Sequence, residues 1–261
     1  MSVSNVKEKW ALILGASSGF GEAISLKLAE QGMNIVGVHL DRKSTMPHAE
    51  EIAAKVKAAG VKAVFMNVNA ADKDKRADVI AEIAKIAPNG IHCLVHSLAF
   101  GTLKPFVGPE KLSKEQMDMT LDVMAHSLVY WTQDLFEKNL LPKGGRIFAM
   151  TSSGGTRVWP TYGAVSAAKA ALESHCRQLA LELGKHEIAV NAIRAGVTDT
   201  PALRKIPGNE IMVKTASERN PGGRLTSPHD VANVIALLVR EEARWMTGNT
   251  LGVDGGEDII G

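Results

Sequence analysis

Seven short apolar runs, at 10–15, 34–39, 62–66, 91–96, 146–151, 188–193 and 250–253, recur along the chain with helical patterns between them. None of these runs alternates apolar and polar residues, so each reads as a strand buried on both faces. That signature belongs to parallel sheets, whose neighbouring strands must be joined by helical crossovers. The helical patterns fall at 21–31, 49–59, within 74–87, at 113–139, from Tyr162 to about 183, and at 228–239. Right-handed crossovers then specify an α/β, Rossmann-type doubly wound fold: a seven-stranded parallel sheet with helices on both faces.

No linker, repeat or low-complexity stretch divides the 261 residues, so 1–261 reads as a single domain. The one irregular region, 198–225, is rich in Pro, Gly and polar residues. It follows the sixth strand and is expected to overhang the carboxyl edge of the sheet as a substrate lid. A net charge of +2 points neither to a nucleic-acid binder nor to a membrane-surface protein. The N-terminal residues lack an apolar export region and no apolar run approaches about 18 residues, so a cytoplasmic protein is expected. Cys93 and Cys176 make no C-x-x-C and read as reduced core thiols.

The first strand runs straight into Gly15-Ala16-Ser17-Ser18-Gly19-Phe20-Gly21 and then a helix. Glycines there permit a tight turn and close approach of backbone to a pyrophosphate, while the helix start supplies free N–H groups and partial positive charge. In the first βαβ unit of such a fold this loop is a dinucleotide site, with Gly15, Ser17, Ser18, Gly19, Phe20 and Gly21 as its candidates. Cofactor choice is read after the second strand, in Val38-His39-Leu40-Asp41-Arg42-Lys43. An acidic residue would accept from the adenosine ribose hydroxyls, and a basic one would pair with a 2′-phosphate. His39 stands at the usual acidic position with Arg42 and Lys43 nearby, which favours NADPH. Asp41 keeps NADH open.

Tyr162 and Lys169 lie seven residues apart, just under two helical turns, and so on one stripe of a helix. A phenol and an ammonium so placed can hydrogen-bond to, or protonate, an oxygen that gains charge as a carbonyl compound is reduced. Alone, the pair also suits an amphipathic helix with a surface lysine. His92 and His96 flank Cys93, but residues four apart on a strand are separated by about 13 Å, so no metal site is expected.

The spacing G-x3-G-x-G, the closing Val253-Asp254-Gly255-Gly256 and the segment 191–200 together resemble the short-chain dehydrogenase/reductase superfamily over essentially the whole chain. Most members carry Tyr-x3-Lys, but the residue four before Lys169 is Val165, which has no proton to give. Tyr162 and Lys169 instead form Tyr-x6-Lys, which resembles the divergent enoyl-acyl-carrier-protein reductases of the superfamily. His96-Ser97-Leu98-Ala99-Phe100 and Ala195-Gly196 resemble the same subgroup, as does Met124 where ordinary members have a helix asparagine. Ser152 stands seventeen residues before Lys169, where ordinary dehydrogenases place a catalytic serine and many enoyl reductases a second tyrosine.

The resemblance implies catalytic roles for Tyr162, Lys169 and Ser152. It implies further cofactor contacts from Asn69, Ser97, Leu98, Ala99, Lys169, Ala195, Gly196, Val197, Thr198 and Thr200. The expected reaction is hydride transfer from NAD(P)H to Cβ of a trans-2-enoyl thioester, as in fatty-acid synthesis, with the substrate on acyl carrier protein. Phe100, Trp159 and Ile206 are candidate acyl contacts, joined by Met150, Ile211 and Met212. Arg194, Arg204, Lys205, Lys214, Arg219 and Arg224 make the lid side basic, which suits an acidic carrier as well as a generic solvated face. A homo-oligomer, tetramer favoured, is implied by the resemblance. A 3-oxoacyl or other ketone reductase, and a non-catalytic nucleotide sensor, stand as alternatives.

Overall fold

A computed structural model of the chain describes residues 6–260. Seven strands pair in parallel in the order β3-β2-β1-β4-β5-β6-β7. They are β1 (Trp10–Leu14), β2 (Asn34–His39), β3 (Ala63–Asn67), β4 (Ile91–His96), β5 (Arg146–Ser152), β6 (Ala189–Ala195) and β7 (Thr250–Val253). The order reverses between β1 and β4, so a crevice opens there at the carboxyl edge, where such sheets bind ligands.

Two cores explain why the strands do not alternate in polarity. Trp10, Leu12 and Leu14 of β1 pack on one face with Trp131, Leu128 and Leu172. Ala11 and Ile13, pointing the other way, pack with Ile24, Leu28 and Ile235. The first layer comprises α3 (Lys73–Ile86), α4 (Lys114–Leu121), α5 (Ser127–Glu137) and α6 (Gly163–Leu183); the second comprises α1 (Gly19–Glu30), α2 (Met46–Ala58) and α8 (Pro228–Leu238). Among the described residues, no helix is long and apolar enough to cross a membrane.

The helix expected over 113–139 is two helices joined by a π-turn, Asp122–His126. Ser113 opens α4 with a capping box shared with Gln116. The π-turn breaks the regular ladder and turns Met124 into the core beneath the crevice. Tyr162 is not in the first turn of its helix: it is the residue before it, capping α6. The irregular region 198–225 holds a further helix, α7 (Asn209–Arg219).

Candidate active site

The glycine loop is built so tightly that side chains would not fit. Gly15 has φ +90°, and a Cβ there would lie 2.4 Å from the Ser97 carbonyl oxygen. A Cβ on Gly21 would lie 2.0 Å from the carbonyl oxygen of Gly15. Gly19 opens α1, and Ser18 before it makes no side-chain cap, so the first N–H groups of the helix are left for a ligand. Thr200, at the start of the lid, sits just across from Gly19. This loop fits the pyrophosphate of a dinucleotide: it is a narrow backbone cradle, floored by glycines, at a positive helix end.

At the end of β2 the two candidate polar residues bond to each other. Residues 35, 37 and 39 share one strand face, which turns the His39 ring inward beside Phe65, leaving it 5% exposed. Its Nδ1–H donates to the Asp41 carboxylate at 2.8 Å. Burial by itself would raise the Asp41 pKa. Hydrogen bonds from Ser17, Thr45 and His39 outweigh it and hold the carboxyl below its ordinary value. Asn67 fixes the Asp41 backbone from both sides, accepting from its N–H at 2.8 Å and donating to its carbonyl at 2.9 Å. The acidic group that meets the glycine loop is therefore Asp41. His39, assigned to the ribose contact from the sequence, instead supports Asp41 from beneath. Arg42 is exposed. Asn69 is exposed as well, and its side chain accepts from Ala71 N–H in a local turn.

Beside the crevice, β4 ends in His96, which is fully buried. Ser127 Oγ donates to the Val123 carbonyl at 2.8 Å and so receives the Nε2–H of His96, also at 2.8 Å. Burial, with the neighbouring charge of Lys169, pushes the His96 ring down to about 3, so it is neutral near pH 7.

Lys169, two turns into α6, is buried, and its Nζ donates to the Met150 carbonyl at 2.6 Å. Burial lowers its pKa to about 8, against the pull of Glu173 one turn later. Tyr162 is positioned by the turn before α6, in which Thr161 takes a left-handed φ of +63°. Such a backbone is strained for a β-branched residue and marks a constrained site. Burial raises the phenol pKa, and the Ser152 hydroxyl partly counters that rise. Ser152 Oγ is itself buried without a well-formed hydrogen bond, as a hydroxyl held for a ligand oxygen would be. For Tyr162 burial dominates, and the phenol keeps its proton at neutral pH.

These groups face a cavity of about 590 Å3. Of the residues singled out by sequence, it is lined by Ser18, Gly19, Phe20, Ser97, Leu98, Ala99, Ser152, Tyr162, Lys169, Ala195, Gly196, Val197, Thr198 and Thr200. Met150, Trp159, Ile206 and Met212 form apolar wall, with Ile206 and Met212 supplied by the lid region. Phe100 and Ile211 lie outside this wall, 60% and 63% exposed. Val165 and Met124 complete the wall where commoner members of the superfamily place polar groups. Sequence reasoning missed Glu257, Arg157 and Ile260, which come from the C-terminal turn and the loop before Tyr162. No local motif marks them, because only the tertiary fold brings them to the cavity. The basic lid side is largely neutralised: Arg204 pairs with Asp199, Arg224 with Asp230 and Arg194 with Asp258.

The family model described as Enoyl-(Acyl carrier protein) reductase matches residues 15–257. The chain is 29% identical over 252 residues to 1-cyclohexenylcarbonyl-CoA reductase of Streptomyces collinus, covering 96% of this chain and 87% of that one. It is 28% identical over 251 residues to a 3-oxoacyl-acyl-carrier-protein reductase of Thermotoga maritima, covering 95% and 97%. Among solved structures, the enoyl-acyl-carrier-protein reductase (NADH) of Aquifex aeolicus superposes with a TM-score of 0.86 at 26% identity, over 98% of both chains. With a cradle for a nicotinamide dinucleotide and a buried Tyr-x6-Lys pair facing one cavity, the chain belongs to this enoyl-acyl-carrier-protein reductase-like family of short-chain dehydrogenase/reductase oxidoreductases.

Proposed function

We propose that the protein reduces the carbon–carbon double bond of a trans-2-enoyl thioester, with NADH as its preferred cofactor. The observation that carries this reading is the pairing of a protonated Tyr162 phenol with an aliphatic Val165 in one cavity wall. When bound, the reduced nicotinamide supplies hydride, which reaches Cβ and leaves negative charge on the thioester oxygen as an enolate. Tyr162 donates a hydrogen bond to that oxygen, and Lys169 adds positive field from beneath. Ser152 Oγ offers a second donor to the same oxygen. A proton delivered to Cα then completes the reduction. The apolar wall of Met150, Trp159, Ile206 and Met212 suits an acyl chain.

Asp41 supports NADH over the NADPH that the basic residues after β2 suggested. An ionised carboxylate held at the glycine loop accepts from ribose hydroxyls and repels a 2′-phosphate. The structural neighbour from Aquifex aeolicus is itself described as an NADH enzyme. An acyl carrier protein is the proposed bearer of the thioester and a homotetramer the proposed assembly, both on the family resemblance. Ketone reduction is the second reading, favoured by Ser152 and by the 3-oxoacyl reductase among the relatives. Assaying crotonyl and acetoacetyl thioesters side by side with each reduced cofactor tests the assignment. Crotonyl turnover with NADH should dominate, and preferential acetoacetyl reduction would replace the enoyl reading with the ketone one.

A further inference from the structure

Glu173 stands one turn beyond Lys169 on α6, and the proposed reduction assigns it no role. Its Oε1 accepts from the Thr151 hydroxyl at 2.7 Å. Thr151 is buried on β5, next in sequence to Met150, whose carbonyl oxygen receives Lys169 Nζ. The carboxylate is therefore fixed to the same stretch of strand as the amine. Gly155, just after β5, covers both: a Cβ there would lie 3.4 Å from Glu173 Oε1 and 3.6 Å from Lys169 Cβ. Other titratable groups on the elements around the amine are uncharged, engaged elsewhere or of the same sign. His96 on β4 is neutral near pH 7, and the Tyr162 phenol before α6 keeps its proton. His126 of the π-turn lies 3.0 Å from His175, farther along α6. In the cavity wall Glu257 accepts from the Val197 N–H, Arg157 pairs with Asp258, and Lys205 and Arg219 add positive charge.

We infer that Glu173 is a positioning residue whose carboxylate, tied to Thr151, balances the charge of the buried Lys169 ammonium. The inference rests on the proposed reduction, in which that ammonium supplies positive field to the reacting oxygen. Burial favours the neutral amine, and a carboxylate one turn away favours the charged one. Between groups packed under the same glycine loop the attraction reaches beyond hydrogen-bond distance, because little solvent lies between them to weaken it. Burial brings Lys169 down to about 8 even with Glu173 pulling the other way. Without that carboxylate the amine would lose its proton closer to neutral pH, and the cavity would lose the charge that the enolate oxygen needs. The hydrogen bond from Thr151 matters because it stops the carboxylate from swinging out to solvent.

The test is the titration of Lys169 in the full chain, followed by carbon NMR of protein labelled at lysine Cε, with Lys169→Met identifying the signal. The unmodified midpoint should fall near 8. Glu173→Gln keeps an oxygen for Thr151 and loses only the charge, so the midpoint should drop by about half a unit or more. Glu173→Asp keeps the charge and should restore most of that loss. Thr151→Val unties the carboxylate and should also lower the midpoint, so it carries the test if Glu173→Gln does not fold. Lys169 loses its charge as pH rises through the midpoint. The alkaline limb of crotonyl-thioester turnover with NADH should therefore move to lower pH in Glu173→Gln by the same amount. An unmoved midpoint in the folded variants overturns the inference. A midpoint that drops while the alkaline limb stays overturns its link to turnover. If the unmodified chain reduces no thioester, the functional reading falls, and the titration still decides what Glu173 does to the amine.

Discussion

Lys169 Nζ donates to the backbone carbonyl oxygen of Met150 at 2.6 Å, which ties the second turn of α6 to the carboxyl-terminal half of β5. The tie holds the ammonium beneath the cavity floor, but it also buries a charge. The folded pKa falls to about 8, from an ordinary value of 10.5. Between those values the unfolded chain binds the proton and the folded chain releases it. Unfolding there takes up a proton, so this residue makes stability rise with pH from about 8 to about 10.5. In urea denaturation at pH 8 and pH 10, Lys169→Met should show a flatter dependence than the unmodified protein. Equal slopes for the two proteins would mean that the amine is not buried as a cation.

Tyr162 adds a prediction that separates chemistry from binding. Tyr162→Phe removes the donor while keeping the ring that packs against Gly154. Turnover of an enoyl thioester should fall by about 100-fold or more, as loss of a positioned general acid does. Dissociation constants for the dinucleotide, followed by fluorescence, should stay within about threefold. Turnover retained at near the original rate would show that the phenol does not face the reacting oxygen.

Much of this arrangement was legible in the sequence because it follows from periodicity and from backbone constraint. Strands buried on both faces cannot alternate, so β1, β4 and β6 announced a parallel sheet, and Gly15 and Gly21 announced a turn with no room for side chains. Spacing singled out Tyr162 and Lys169 and the resemblance added Ser152; all three line the one cavity. Their electrostatics were not legible, because burial is what raises the Tyr162 phenol and lowers the Lys169 amine. At the ribose end strand parity turns His39 inward, and the carboxylate two residues later is held by it beside the glycine loop, a pairing that spacing alone does not reveal. Glu257 was invisible because the chain returns to the cavity only after the whole sheet has formed. Phe100 looked like pocket wall from its motif, yet it points to solvent, while Met124 came in through a π-turn that no apolar pattern reveals.

The Asp41 geometry makes cofactor choice a matter of one charge. The carboxylate is held by His39 at 2.8 Å and by the Ser17 hydroxyl of the glycine loop. Asp41→Asn keeps a side-chain acceptor and removes the negative charge that opposes a 2′-phosphate, with Arg42 and Lys43 close in sequence. The preference for NADH over NADPH, taken from binding constants at fixed ionic strength, should shrink by about tenfold. Tighter NADPH binding by the unmodified protein would refute the role given to Asp41.

Gly21 tests whether the loop geometry itself carries dinucleotide binding. A Cβ at this position would stand 2.0 Å from the Gly15 carbonyl oxygen, a contact with backbone and not with a flexible side-chain end. Relief therefore requires α1 to move away from the end of β1, opening the narrow gap between the glycine turn and the helix start. Gly21→Ala should lose about 1–3 kcal/mol of stability through overpacking, read from the denaturation midpoint. The same displacement swings the free N–H groups at Gly19 away from the cavity, so NADH affinity should drop in the surviving folded protein by about tenfold or more. Gly60, where a Cβ would meet nothing within 4 Å, has a φ of +82°, so a side chain there strains the backbone without any clash. Gly60→Ala controls for loss of stability away from the loop: it should cost stability yet leave NADH affinity unchanged. Equal affinity losses in the two variants would place the effect in general destabilisation and not in the cradle.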